Sequence, residues 1–137
     1  MTNLAMVRER LYSTNASLVV LYANGECKEY YQNRIKDMKE ILQKDKQALK
    51  GAIIADKVIG KVASSILAVA GVKEIYSDVM SKYAIPILEE NGIRYEYKKL
   101  VEYVQNNDKT GMCPMENKYK EEADIHRIYE EMVEGSN

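Results

Sequence analysis

The stretch from position 55 to position 61 concentrates residue types that could bind or transform a small molecule. Asp56 supplies a carboxylate, while Lys57 and Lys61 supply two ammonium groups four positions apart, on one face of a helix. Gly60 carries no side chain, which lets a ligand or a neighbouring backbone approach closely. A helix start also offers unpaired N–H groups and partial positive charge. We therefore predict a polar-ligand site, with Asp56 and Lys57 as catalytic candidates and Lys57, Gly60 and Lys61 as ligand contacts.

The same residues also fit a purely structural role. Asp56 would then be the N-cap of the helix that follows, accepting hydrogen bonds from backbone N–H groups and meeting the positive end of the helix dipole. Lys57 and Lys61 would be solvated, and Gly60 would be a packing contact. Both interpretations stay open at the level of the sequence.

A second group of reactive types lies between Gly111 and Glu116. Cys113 directly precedes Pro114, a residue suited to the first position of a helix, and a thiol at a helix start can be reactive. Glu116 has the spacing of a capping-box partner. Cys113 is thus a catalytic candidate and Glu116 a candidate ligand contact, on a loop that folds over the sheet edge. The structural alternative makes Cys113 an ordinary helix-start residue.

These candidates must be positioned by helices and strands that the apolar pattern predicts. A continuous apolar run at 18–22 and an alternating stretch at 26–31 flank Asn24-Gly25, which is the strongest short signal for a hairpin. Apolar periodicity further predicts strands over 52–55, 73–77 and 93–97. It predicts helices over about 3–14, 35–51, 57–70, 82–91, 100–104 and 114–134.

A hairpin followed by repeated helix–strand units predicts the fold class. Such units need crossover connections, so the sheet should be largely parallel beyond the hairpin and covered by helices on both faces. We predict a three-layer α/β/α protein with a mixed sheet of about five strands. At 137 residues, without a linker or repeat, the chain is expected to form one domain over 1–137.

The composition of the chain argues against nucleic acid and membranes as partners. The net charge is −1, with 20 basic and 21 acidic residues mixed along the chain, so the basic stripe of a nucleic-acid binder is missing. No apolar stretch is long enough for a signal peptide or a membrane span. Cys27 and Cys113 form no CxxC motif, which favours free thiols in a reducing compartment. We therefore expect a cytoplasmic protein that binds neither nucleic acid nor membrane.

Two motifs carry a resemblance to a known family. The run from Asp56 to Ala63 and the later segment from Cys113 to Glu116 resemble an uncharacterised bacterial family of unknown function with a cytidine-deaminase-like fold. The resemblance spans about 18–116 and leaves out the first helix and most of the last one. It implies a deaminase-like cleft whose second helix start carries Ser81, which makes Ser81 a further candidate ligand contact.

The zinc chemistry of deaminases does not fit this chain. Such an enzyme needs His-x-Glu at one helix start and Pro-Cys-x-x-Cys at the next. The equivalent positions here carry Asp56-Lys57 and Ser81-Lys82, and the only histidine, His126, belongs to no such motif. We therefore expect no metal ligands and no cofactor, and predict that the chain is not a zinc-dependent deaminase.

Two kinds of function follow from these residues. The first is metal-independent binding of a small polar molecule, nucleotide-like in character, with or without a reaction. The second is a non-catalytic interaction protein, in which the tyrosine-rich strands 26–31 and 93–97 pair or stack across a homodimer. The eleven tyrosines, with no Phe or Trp, suit half-buried positions as well as an interface.

Overall fold

The computed structural model describes residues 2–32, 35–106 and 108–135; the remaining residues of the expected domain 1–137 lie outside this description. Five strands are present in this part of the chain: β1 Leu18–Leu21, β2 Cys27–Tyr30, β3 Ile53–Ile59, β4 Glu74–Ser81 and β5 Arg94–Val101. The α-helices are α1 Asn3–Ser13, α2 Lys36–Lys44, α3 Lys61–Ala70, α4 Ile85–Glu90, α5 Pro114–Tyr119 and α6 Ile125–Tyr129. A π-helical turn, Glu130–Glu134, continues α6.

The strands form one mixed sheet in the order β2-β1-β3-β4-β5. β1 pairs antiparallel with β2 and with β3, so the predicted hairpin is confirmed. β3, β4 and β5 run parallel, because α3 and α4 carry the chain back between them. The carboxyl ends of these three strands therefore meet at one edge of the sheet, where open α/β sheets place ligands.

Helices cover both faces of the sheet, which confirms the predicted three-layer α/β class. α1 covers one face and packs its buried Leu4, Val7 and Leu11 against apolar side chains of β1, β3 and β4. These residues form the smaller of two hydrophobic cores. The larger core lies on the opposite face of the sheet, where α3 contacts α4, α5 and α6. No helix among the described residues is long and apolar enough to cross a membrane.

The prediction for β3 and α3 was wrong at their junction. β3 does not stop at position 55 but continues to Ile59, because Val58 and Ile59 pair with Val79 and Met80 of β4. Helix α3 therefore begins at Lys61 rather than at position 57. Asp56 is a strand residue, and it is not the N-cap of α3.

Other predicted elements also differ from the structure. The strand predicted over 73–77 continues to Ser81, so Ser81 ends β4 and does not begin a helix. β5 continues to Val101, which pairs with Ser81, so the predicted helix over 100–104 is wrong. The helix predicted over 35–51 ends at Lys44, where Asp45 takes an extended conformation. The long final helix is broken after Tyr119, and a new helix begins where the Asp124 side chain accepts hydrogen bonds from two backbone N–H groups.

Candidate functional site

An open cleft of about 730 Å³ lies at the carboxyl edge of the three parallel strands. Its volume falls within the range of small-molecule sites in proteins. It is lined by the second halves of β3, β4 and β5, by the segment that follows β5, and by one residue before β1: Ser17, Asp56, Lys57, Val58, Val79, Lys99, Val101, Glu102, Tyr103, Val104, Gln105, Asn106 and Lys109.

Part of the lining of the cleft lies on the sheet, next to the end of helix α1. Tyr12, near the end of α1, reaches Asp78 of β4 with a hydrogen bond of 2.6 Å from its hydroxyl. One residue further along the sheet, Val58, Val79 and Lys99 lie side by side in register on the three strands. Val58 is 42% exposed although it is apolar and lies in a strand. Val58 and Val79, together with Val101 of β5, therefore give the cleft an apolar floor.

The walls of the cleft carry an excess of positive charge. Lys57 comes from β3, Lys99 from β5 and Lys109 from the segment after β5, and all three are exposed. The acidic wall residue, Glu102, forms an ion pair of 2.6 Å with Lys82. Three lysines from separate segments thus line one opening, where anions would be attracted.

The segment that carries Lys109 is held in a defined turn. The Asn106 carboxamide accepts a hydrogen bond from the Thr110 backbone N–H at 3.0 Å, and the Lys109 N–H donates to the Asn106 carbonyl at 3.1 Å. Lys109 itself has φ of 58°, a left-handed conformation that is uncommon for a residue with a side chain.

Asp56 lies at the inner end of the cleft and is only 6% exposed. Burial raises the pKa of Asp56 to about 7, and the charge of Asp37 acts in the same direction. Hydrogen bonds from the backbone N–H groups of Val58 and Lys57 favour the ionised form and offset part of that rise. A carboxyl with this pKa can both donate and accept a proton near neutral pH.

A second, much smaller cavity of about 50 Å³ adjoins the cleft. The two share Asp56, Val58 and Val104 in their linings. The small cavity also contacts three of the residues predicted from the sequence, namely Gly60, Cys113 and Glu116. The structure therefore brings Asp56, Gly60, Cys113 and Glu116 together, although the last two lie far from the first two in the chain.

Glu116 occupies the place where the sequence predicted a ligand. Its carboxylate accepts hydrogen bonds from the backbone N–H groups of Lys61 at 2.6 Å and Val62 at 3.0 Å, which are the first two residues of α3. A Cβ atom at Gly60 would lie 2.3 Å from Glu116 Oε1 and 2.6 Å from Val104 Cγ2. Gly60 therefore admits the chain's own carboxylate, and the amino end of α3 is not open to an external anion.

The remaining predicted residues lie outside the cleft. Lys61 donates from Nζ to the Lys120 carbonyl at 2.9 Å and borders a separate pocket. Ser81 is fully buried, and its hydroxyl accepts a hydrogen bond from the Tyr83 N–H at 3.0 Å. Cys113 is 5% exposed and contacts the small cavity. Of the predicted ligand contacts, only Lys57 lines the cleft itself.

Sequence reasoning missed Lys99, Lys109 and Tyr103. Lys99 could have been found by extending β5, since this strand continues to Val101 and not only to the predicted end at position 97. The other two lie in an irregular segment whose path has no local signal. Within the described ranges, no group of three or more His, Cys, Asp and Glu side chains could together hold a metal ion.

Comparisons with known proteins identify a family and similar solved structures. Residues 6–134 match the family model described as "TM1506: Domain of unknown function (DUF1893)". The fold is similar to the crystal structure, at 2.70 Å resolution, of a DUF1893 family protein (TM1506) from Thermotoga maritima, with 26% sequence identity and a TM-score of 0.85. The alignment covers 99% of this chain and 92% of that one. No curated protein gives a significant sequence match.

The family part of the predicted resemblance is thereby confirmed, and it extends beyond the predicted span 18–116 into both terminal helices. The cytidine-deaminase-like fold is not confirmed by either comparison.

Proposed function

The chain belongs to the DUF1893 family, and we propose that it binds a small anionic molecule with a flat or apolar part, such as a nucleotide, in the cleft beside β5. The observation that carries this proposal is the convergence of Lys57, Lys99 and Lys109 on an opening whose inner end holds the buried carboxyl of Asp56. The ligand is of the class predicted from the sequence, a small polar and nucleotide-like molecule, but its binding site is the cleft and not the amino end of α3.

The lysines account for the anionic part of the ligand. Their ammonium groups lie on three separate segments, so a phosphate or carboxylate at the opening would be contacted from more than one side. Lys82 compensates the charge of Glu102, which leaves the lysine charges to act on the ligand. Binding should therefore weaken as salt concentration rises.

The floor accounts for the apolar part. Val58, Val79 and Val101 present methyl groups, and Tyr103 presents a half-buried ring at the wall. A flat ring system placed on such a floor removes apolar surface from water on both partners. A small inorganic anion would leave this surface exposed, so we expect it to bind more weakly than a ligand with a ring.

Asp56 accounts for the polar edge of the ligand. The carboxyl donates a hydrogen bond when it is protonated and accepts one when it is ionised. The hydroxyl of Ser17 lines the same end of the cleft. A reaction that moves a proton at this edge would use Asp56 as the acid or the base, with Lys57 holding the substrate.

We place this function in the cytoplasm. The two cysteines are not arranged as a CxxC pair, and neither composition nor charge indicates an extracellular or membrane setting. Small anionic metabolites are abundant there, so the proposed cleft would meet its ligand.

A calorimetric titration with matched pairs of probes tests the proposal. Nucleoside monophosphates are compared with the corresponding nucleosides, which lack the phosphate, and with inorganic phosphate, which lacks the ring. We expect the monophosphates to bind best, and Lys57→Ala or Lys99→Ala to weaken them about tenfold each. Lys73→Ala is the control, since Lys73 is an exposed lysine at the opposite, amino end of β4.

Two results would contradict the proposal. The first is a wild-type chain to which no member of the panel binds. The second is a ligand whose affinity changes equally in Lys57→Ala and Lys73→Ala, because the cleft would then contribute nothing beyond general charge.

A further inference from the structure

Strand β5 forms one edge of the sheet and is exposed along almost its whole length. No other strand of the described residues pairs with its outer side. From the pattern of its residues, we infer that a second copy of this chain pairs antiparallel with β5, with Tyr95 of the two copies facing each other across the twofold axis. This interface does not depend on the proposed ligand.

The backbone of β5 is oriented for such pairing. The Arg94 N–H donates to the Lys73 carbonyl on the β4 side at 3.4 Å. Because backbone groups alternate along a strand, the N–H and C=O of Tyr95 point to the outer side. Two Tyr95 residues placed opposite each other can then exchange both backbone hydrogen bonds, as in a hydrogen-bonded antiparallel pair.

The side chains of this part of the strand are complementary to themselves. With Tyr95 at the centre, Arg94 lies opposite Glu96 of the second copy, and the same ion pair recurs on the other side of the axis. Tyr95 and Tyr97 project to the other face of β5, so the charge pairs occupy one face and tyrosine rings the other. Tyr97 is 41% exposed and its ring stacks on Tyr95 at 6.5 Å, which extends the apolar face.

Neighbouring registers are less favourable. A pairing centred on Glu96 sets two Glu96 carboxylates against each other and Arg94 against Lys98. A pairing centred on Tyr97 would extend into Lys98, where the strand is irregular. The backbone groups of Arg94 and of Val101 both form hydrogen bonds on the β4 side. In a regular strand, residues an odd number of positions apart direct their backbone groups to opposite sides, and these two are seven apart. The regular alternation of the strand is therefore interrupted between them. The register centred on Tyr95 avoids this interruption.

Light scattering across a concentration series, combined with charge reversals, tests the interface. We expect the wild-type chain to dimerise, and Arg94→Glu or Glu96→Arg to weaken the dimer at least about tenfold, because each reversal places like charges opposite each other twice. The double variant Arg94→Glu/Glu96→Arg restores opposite charges and should restore dimerisation. Glu26→Arg, an exposed reversal at the opposite edge of the sheet, serves as the control.

Disulfide trapping tests the register itself. In a Cys27→Ala background, Tyr95→Cys should form an intermolecular disulfide under mild oxidation, since the two positions face each other across the axis. Tyr97→Cys should not, because in this register its neighbour across the interface is position 93. Trapping of Tyr97→Cys in preference to Tyr95→Cys would overturn the register. A monomeric wild-type chain, or a dimer insensitive to both single reversals, would overturn the interface.

Discussion

The amino end of α3 and the cleft beside β5 are built from adjacent residues of one motif, yet the first is closed and the second is open. At the helix end, the carboxylate of Glu116 satisfies the first two N–H groups of α3. In the cleft, Lys57 and Val58 remain exposed to solvent. A helix end thus becomes a ligand site only when the protein leaves its N–H groups unsatisfied, and here it does not.

The difference originates in where β3 ends. Because β3 continues four positions beyond its predicted end at position 55, Asp56 and Lys57 belong to the edge of a sheet, and Gly60 marks the turn into the helix. Asp56 lies on the boundary, because it lines both the open cleft and the small closed cavity. Measuring stability as a function of the protonation of Asp56, and substituting residues at the amino end of α3, therefore test the two regions separately.

The largest expected effect comes from the carboxyl on the boundary. The pKa of Asp56 is raised from 3.8 to about 7, so the folded protein binds a proton that the unfolded chain releases between these values. Stability from this proton is complete below pH 4 and is lost as pH rises through about 7. Relative to Asp56→Asn, the wild-type free energy of unfolding should fall by up to about 4 kcal/mol over that range. Urea unfolding at a series of pH values measures it.

A flat difference curve between wild type and Asp56→Asn would contradict this account. It would mean that solvent reaches Asp56 from the cleft and that the boundary between the open and closed regions lies elsewhere.

The closed region is tested next by removing its cap. Glu116→Ala leaves the amino end of α3 without its charged acceptor, and we expect a loss of about 3 kcal/mol in the free energy of unfolding. Glu116→Gln keeps one acceptor oxygen and should lose less. Glu121→Ala, at an exposed position of the same segment, is the control and should change stability little. Equal losses in Glu116→Ala and Glu121→Ala would show that the cap contributes nothing.

A smaller effect is expected from filling the space at Gly60. Gly60→Ala brings a methyl group against Glu116 and Val104, and overpacking of this kind costs about 2 kcal/mol. Gly111→Ala is the control, because a Cβ atom there meets nothing within 4 Å. In a Glu116→Ala background the cost of Gly60→Ala should shrink, since one of the two clashing side chains is gone. An unchanged cost would assign the clash to Val104 alone.

Local patterns in the sequence were sufficient to predict the hairpin, the succession of the five strands along the chain, and the class of fold. Each of these depends on contacts between near neighbours or on hydrophobic periodicity, as for the turn at Asn24-Gly25. The junction at Asp56 was misplaced because a buried aspartate before a helix looks like an N-cap. The pairing of Val58 and Ile59 with Val79 and Met80, on a strand distant in the sequence, keeps this segment extended.

The candidate site was only partly predictable for the same physical reason. Lys57 was found because it lies next to a recognisable strand. Lys99 and Lys109 reach the cleft through the packing of distant segments, and the role of Glu116 depends on a contact that spans 55 positions. No local rule connects residues so far apart, so their roles needed the fold itself.

The capping of α3 by Glu116 also bears on how the protein forms during synthesis. Lys61 and Val62 are added to the growing chain before Glu116, so until Glu116 is in place the helix start has no carboxylate to hold it. Contacts that span such a distance are slow to close, because the intervening chain must first be ordered. The cap of the central helix can therefore form only after the segment that carries Glu116 has been synthesised.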